Sequence, residues 1–185
     1  MQKKAVAVIF GGHSSEHEVS LQSAAAVLRS LNPEKYDIKA IGITKEGDWY
    51  HYTGSYDRIE DGSWLEGEDE RVPVVISQSR KEQGFFELLQ NEHRFVKIDL
   101  AFPVLHGKNG EDGTVQGMFE LAGIPVIGCG SLASALCMDK ERAHRLAEAA
   151  GIAVPRSVSF NHFTQQSALQ KLREQLTYPA STMVT

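Results

Sequence analysis

Apolar and polar positions along this chain alternate between two periods. Ala5 to Phe10 is a continuous apolar run closed by Gly11-Gly12, which predicts a strand buried on both faces, as in a parallel sheet. Ser15 and Glu18 stand at capping-box spacing, so a helix is expected to start at Ser15 and to carry the stripe Ala24, Val27, Leu28 and Leu31. Asn32-Pro33 ends it. A strand over Tyr36 to Thr44 completes a βαβ unit. Beyond the Lys45–Asp48 turn, Trp49 to Tyr52 is expected to pair back as an edge hairpin, and the acidic stretch Thr53 to Arg71 to form a surface excursion with little regular structure.

The second half repeats the pattern. Strands are expected at Val72 to Ser77, at Val96 to Ile98 and at Leu100 to Leu105, whereas Phe85 to Leu89 fits strand and helix equally. The strand ending at Leu105 runs into the Gly-rich loop His106 to Gly113. Thr114 to Ala122 then reads as a helix with Val115, Met118 and Phe119 inward and Gly123 just beyond its end. A short strand follows at Pro125 to Ile127. The composition shifts at Gly128 to Gly130, so we place a boundary there, with domains at 1–129 and 130–185. Past it, Ser131 to Ala150 is Ala-rich and helical, Val154 to Phe160 looks like a strand, and Thr164 to Leu176 like an amphipathic helix. The fold class is α/β with an open, mainly parallel sheet.

Composition narrows the function. The 185 residues carry 19 Lys plus Arg against 24 Asp plus Glu, a net charge of −5, which argues against a surface built for nucleic acid. No apolar run is long enough to cross a bilayer, and the short run after Lys3-Lys4 is not a secretory signal. Cys129 and Cys137 make no disulfide framework; they read as small buried hydrophobes, reduced in a cytoplasmic protein.

Candidate chemistry lies in the two loops at the carboxyl ends of apolar strands, where an open parallel sheet binds ligands. Gly11 to Glu16 is neither a dinucleotide fingerprint nor a P-loop. With Glu18 assigned to the capping box, Glu16 is free. It serves either to complement the helix dipole or as counter-ion for a substrate ammonium, and spacing leaves both open. His106 is likewise either a satisfied loop histidine or a polar group lining the same cleft. Glu111 and Asp112 lack the alternating oxygen ligands of a calcium loop, and Asp112 reads as a helix cap. The aromatic residues Trp49, Tyr50 and Tyr52 read as packing.

Three blocks together carry a resemblance. Phe10 to Leu21 (FGGHSSEHEVSL), Pro103 to Gly107 with Gly110 to Gly117 (PVLHG…GEDGTVQG), and Gly128 to Ser131 with Ser134 to Lys140 (GCGS…SALCMDK) resemble the D-alanine–D-alanine ligases, over residues 4 to 179. The resemblance implies a Rossmann-like pre-ATP-grasp domain followed by the beginning of an ATP-grasp central domain. It implies a cytoplasmic ligase of peptidoglycan precursor synthesis that phosphorylates one D-alanine with ATP, with Mg2+ or Mn2+ on the nucleotide, and joins it to a second. It further implies that Glu16 anchors the ammonium of the first D-alanine, that Val19 touches its methyl group, that His106 lies beside it, and that Lys140 reaches ATP.

After Ala180 the chain departs from the family's Lys-Pro strand and Gly/Ser-rich loop. The metal ligands and most of the catalytic apparatus are therefore expected outside it, and the chain alone is not expected to make the dipeptide. A D-alanine–D-serine or D-alanine–D-lactate ligase, and a non-catalytic dimerisation or binding fragment, stand as alternatives. The complete enzyme is expected to be a homodimer.

Overall fold

A computed structural model describes residues 3–157. The chain divides into two compact units, one ending at Met138 and one beginning at Asp139. In the first, strands β1 (Lys4–Gly11), β2 (Tyr36–Ile43), β3 (Trp49–Tyr52), β4 (Arg71–Ile76), β5 (Gly84–Leu88), β6 (His93–Lys97) and β7 (Leu100–Pro103) form a seven-stranded sheet. Its order is β6-β5-β4-β3-β2-β1-β7. β1 pairs in parallel with β2 and β7, and an antiparallel run from β2 through β6 extends the sheet.

β1 is central because it is apolar on both sides. Val6, Val8 and Phe10 face helix α1 (His17–Ser30), packing with Leu21, Ala24 and Leu28. Ala7 and Ile9 belong to the opposite core, with Val115 and Phe119 of helix α3 (Thr114–Ala122). α3 has the bounds read from its periodicity, and Gly123 closes it at φ 70°, the left-handed geometry that a glycine adopts at no steric cost.

Several expectations are corrected. The helix starts at His17, not Ser15, and no capping box forms: Glu16 is the N-cap and no side chain caps it. Glu18 pairs instead with Lys45 across the β2–β3 turn, and that hydrogen bond draws its carboxyl below the ordinary range. Trp49 to Tyr52 does form a hairpin with β2, but β4 covers its other side, so it is interior to the sheet.

The acidic excursion holds helix α2 (Tyr56–Glu60) and two single 3-10 turns, Ser63–Leu65 and Glu68–Glu70. Polarity misled here because two apolar side chains, Ile59 and Trp64, are driven fully into the α1-side core. The Trp64 ring meets Phe10 edge-on at 5.0 Å. It occupies space that exists because position 42 is glycine: a Cβ there would lie 2.6 Å from the indole.

Pro125 to Ile127 contributes one parallel bridge, Ala101 to Val126, rather than a strand. The Ala-rich segment is two helices, α4 (Ser131–Met138) and α5 (Lys140–Ala149). Asp139 interrupts it by accepting the Arg142 backbone N–H as N-cap of α5. Both cysteines are exposed free thiols, contrary to the expected burial. Residues 154–157 carry no strand; the remainder of that segment and the helix expected from Thr164 lie outside the described residues.

Candidate functional site

β1 and β7 are adjacent and parallel, so the loops that leave their carboxyl ends emerge side by side. The first loop turns at Gly11 and Gly12, both at positive φ (84° and 101°), and a Cβ on Gly11 would collide with the Ile43 carbonyl. Gly12 N–H then donates to that carbonyl at 2.9 Å, pinning the turn to the end of β2. His17 is buried, and its Nδ1–H donates to the Gly12 carbonyl at 2.8 Å.

Serines join this loop to the second. Ser20 is fully buried: its hydroxyl accepts the Gly11 N–H at 2.8 Å and donates to the Val104 carbonyl. Ser14 Oγ donates to the His106 carbonyl at 2.8 Å and accepts the Glu16 N–H at 3.0 Å. Ser23, two turns into α1, contacts His106 Nε2 at 3.2 Å.

The second loop folds on its own carboxylates. Gly107 N–H donates to Glu111 Oε2 at 2.8 Å. Asp112 accepts from the backbone N–H groups of Asn109 and Thr114 at 2.9 and 3.0 Å. Burial pushes the Asp112 carboxyl up, but a hydrogen bond from the Thr114 hydroxyl, together with these backbone bonds, outweighs it and holds the group below its ordinary range. Asp112 thus ties down the first turn of α3, although Gly113 occupies the N-cap position. Gln116 Nε2 adds a bond to the Gly110 carbonyl at 2.8 Å. Among the described residues no cluster of His, Cys, Asp or Glu could hold a metal ion.

Glu16 and His106 therefore stand together. Gly107, at φ 72°, passes so close to Glu16 that a Cβ there would lie 2.5 Å from its Oε2 and 2.9 Å from Ser14 Oγ. The Glu16 carboxylate is exposed, and His106, the residue before Gly107, is half-buried. Val19 lies one turn along α1 and is 51% exposed. Lys140 is the exposed first residue of α5 and belongs to the second unit. Between the two loops a cavity of about 250 Å3 is lined by Gly12, His13, Trp49, Leu105, His106 and Val115 among others. The serines were missed from the sequence. Their one legible sign was Ser20 and Ser23, three apart at the start of an amphipathic helix.

The sequence profile described as D-ala D-ala ligase N-terminus matches residues 5–129. The chain belongs to the D-alanine–D-alanine ligase family. A D-alanine–D-alanine ligase of Thermoanaerobacter sp. strain X514 is 45% identical over 181 residues, which cover 97% of this chain and 50% of that protein. Among solved structures, the VanG D-Ala:D-Ser ligase from Enterococcus faecalis is 57% identical with a TM-score of 0.85, over 96% of this chain and 51% of the other. The D-alanine–D-alanine ligase from Coxiella burnetii is 30% identical with a TM-score of 0.75, over 92% and 49%. The chain thus spans about half the length of the ligases it matches. No described helix is long and apolar enough to cross a membrane.

Proposed function

We infer that this chain supplies the first-substrate half of an ATP-dependent D-alanine–D-alanine ligase that makes the dipeptide for peptidoglycan precursors in the cytoplasm. Glu16 is the anchor for the ammonium of the first D-alanine, Val19 meets its methyl group, and His106 lies beside it. The observation that carries this reading is the meeting of Glu16 with the His106-Gly107 turn at the carboxyl rim of β1 and β7. An exposed carboxylate there forms charge-assisted hydrogen bonds with an amino acid's cation, and the close approach of Gly107 limits where that cation sits.

Lys140, an exposed cation in the first turn of α5, suits an anionic phosphate of ATP. ATP would activate the first substrate's carboxylate as an acyl phosphate. The described residues do not fit a magnesium or manganese site, because Glu111 and Asp112 are engaged by backbone N–H groups. A homodimer is the expected assembly of the complete enzyme.

A coupled ADP-release assay with D-alanine tests the reading. This chain alone, half the length of its relatives, is expected to show no turnover. Supplying the carboxyl-terminal half of a relative is expected to restore it. In that reconstituted enzyme Glu16→Ala should raise KM for the first D-alanine on the order of 10- to 100-fold, the value of one charged hydrogen bond. An unchanged KM would remove Glu16 from the site.

A second reading concerns the acceptor. The 57% identity to VanG, named as a D-Ala:D-Ser ligase, favours D-serine as an alternative second substrate, and a relative named putative D-alanine–D-lactate ligase, 46% identical, extends the choice to D-lactate. Product analysis of the reconstituted enzyme with D-alanine, D-serine and D-lactate in competition separates these.

A further inference from the structure

We propose that Ser23 is a positioning residue that fixes the tautomer of His106, so that the neutral ring offers a bare Nδ1 to the cleft chemistry. A serine hydroxyl has one hydrogen to give and two lone pairs to receive with. Ser23 Oγ lies 2.9 Å from the Val19 carbonyl, which can only accept, so the hydrogen is spent there, in the back-bonded geometry common for serine in helices. Its other polar neighbour is His106 Nε2 at 3.2 Å. With its hydrogen committed, Ser23 can only accept from the imidazole. Nε2 therefore carries the proton, and Nδ1, which has no hydrogen-bond partner among the described residues, keeps its lone pair.

The rest of the turn holds this pairing in place. The His106 carbonyl is bonded by Ser14 Oγ, and the next backbone N–H, of Gly107, is bonded by Glu111. Backbone freedom on the carboxyl side of the imidazole is thus removed, while Ser23 grips the ring end. Under the functional reading above, on which this consequence rests, the Nδ1 lone pair receives a hydrogen bond from the substrate's ammonium instead of the ring giving one to the substrate's carboxylate. The residue thus contributes to selecting an amino acid by its cationic end.

The test is long-range 1H–15N NMR of the full 15N-labelled chain above the ordinary histidine titration range, with His106 signals assigned through their loss in His106→Gln. We expect Nε2 protonated, Nδ1 unprotonated, and a ring Hε2 proton protected from solvent exchange. Ser23→Ala should speed exchange of that proton about fivefold, the factor of one ordinary hydrogen bond. Ser23→Thr, which keeps the hydroxyl, should restore protection. A wild-type ring protonated at Nδ1 overturns the proposal, and so does an Hε2 exchange rate indifferent to Ser23→Ala in a variant whose amide spectrum is native. Should Ser23→Ala not fold, the wild-type tautomer alone decides. A reconstituted enzyme that fails to ligate D-alanine, with the Nε2–H tautomer intact, counts against the functional reading and leaves the assignment of Ser23 standing.

Discussion

β1, β2 and β7 run parallel, whereas β3 to β6 continue the same sheet as an antiparallel run. In the parallel part, consecutive carboxyl ends point the same way. The loops from β1 and β7 and the N-termini of α1 and α3 therefore collect on one rim, and that rim holds Glu16, His106 and their serine partners. In the antiparallel part successive ends alternate, so no rim gathers chemistry. Its most polar buried feature is internal: Glu87, 1% exposed, accepts from His51 Nδ1–H at 2.6 Å and from Arg94 Nε. That cluster locks the β5–β6 register, in which Glu87 faces Arg94. The same sheet thus gathers polar side chains at its rim where strands are parallel and buries them across the strand register where they are not.

The largest effect is expected where the two parts share a core. Trp64, from the segment between β3 and β4, packs on Phe10 of β1 and Tyr52 of β3. Trp64→Ala should cost roughly 3–5 kcal/mol in urea unfolding, because the cavity it leaves is lined by the buried Phe10 and Tyr52. A loss confined to a few tenths of that would mean the antiparallel part is stable without it.

Ser20→Ala comes next. It leaves the Gly11 N–H and the Val104 carbonyl without their partner, at a cost of about 1–3 kcal/mol. Hydrogen exchange should quicken in the two loops and stay unchanged around Glu87. Equal acceleration in both parts would erase the distinction drawn between them.

Glu87 sharpens the comparison by pH. Burial raises its carboxyl, but the hydrogen bonds from Arg94 and His51 outweigh this and set it below the ordinary range. A depressed folded value means that its contribution is complete above the ordinary glutamate range and is lost as pH falls through the lower folded value. Glu87→Gln should therefore flatten the acid limb of the stability curve, with the difference from wild type vanishing at low pH. Parallel pH curves for the two proteins would assign acid sensitivity elsewhere.

The smallest effect is expected of Glu18→Ala. Its partner Lys45 is exposed, and exposed pairs contribute little. An unmoved urea midpoint agrees with the absence of a capping box, and a clear loss would restore that role.

How legible was this molecule? The β1 and α3 elements were readable because burial on both faces of one, and on one stripe of the other, leaves a periodic trace. Phe85 to Leu89 resisted because a buried glutamate sits where strand alternation calls for an apolar side chain, and only the distant His51 and Arg94 explain it. The capping box failed for the converse reason: S-x-x-E is local, and Glu18 is drawn instead to Lys45, 27 residues away in sequence. The acidic segment hid Trp64 because one large side chain outweighs many polar neighbours once a glycine in another strand makes room.

By itself, the order of residues determined the alternation of strands and helices, the glycine turns and the three blocks that mark the ligase family, since each depends on neighbours a few positions apart. Tertiary structure alone decided that Glu18 pairs with Lys45, which serine holds which loop, and how the imidazole of His106 is oriented. Those outcomes are settled by hydrogen bonds between segments far apart in the chain, and a single hydroxyl hydrogen can be given only once.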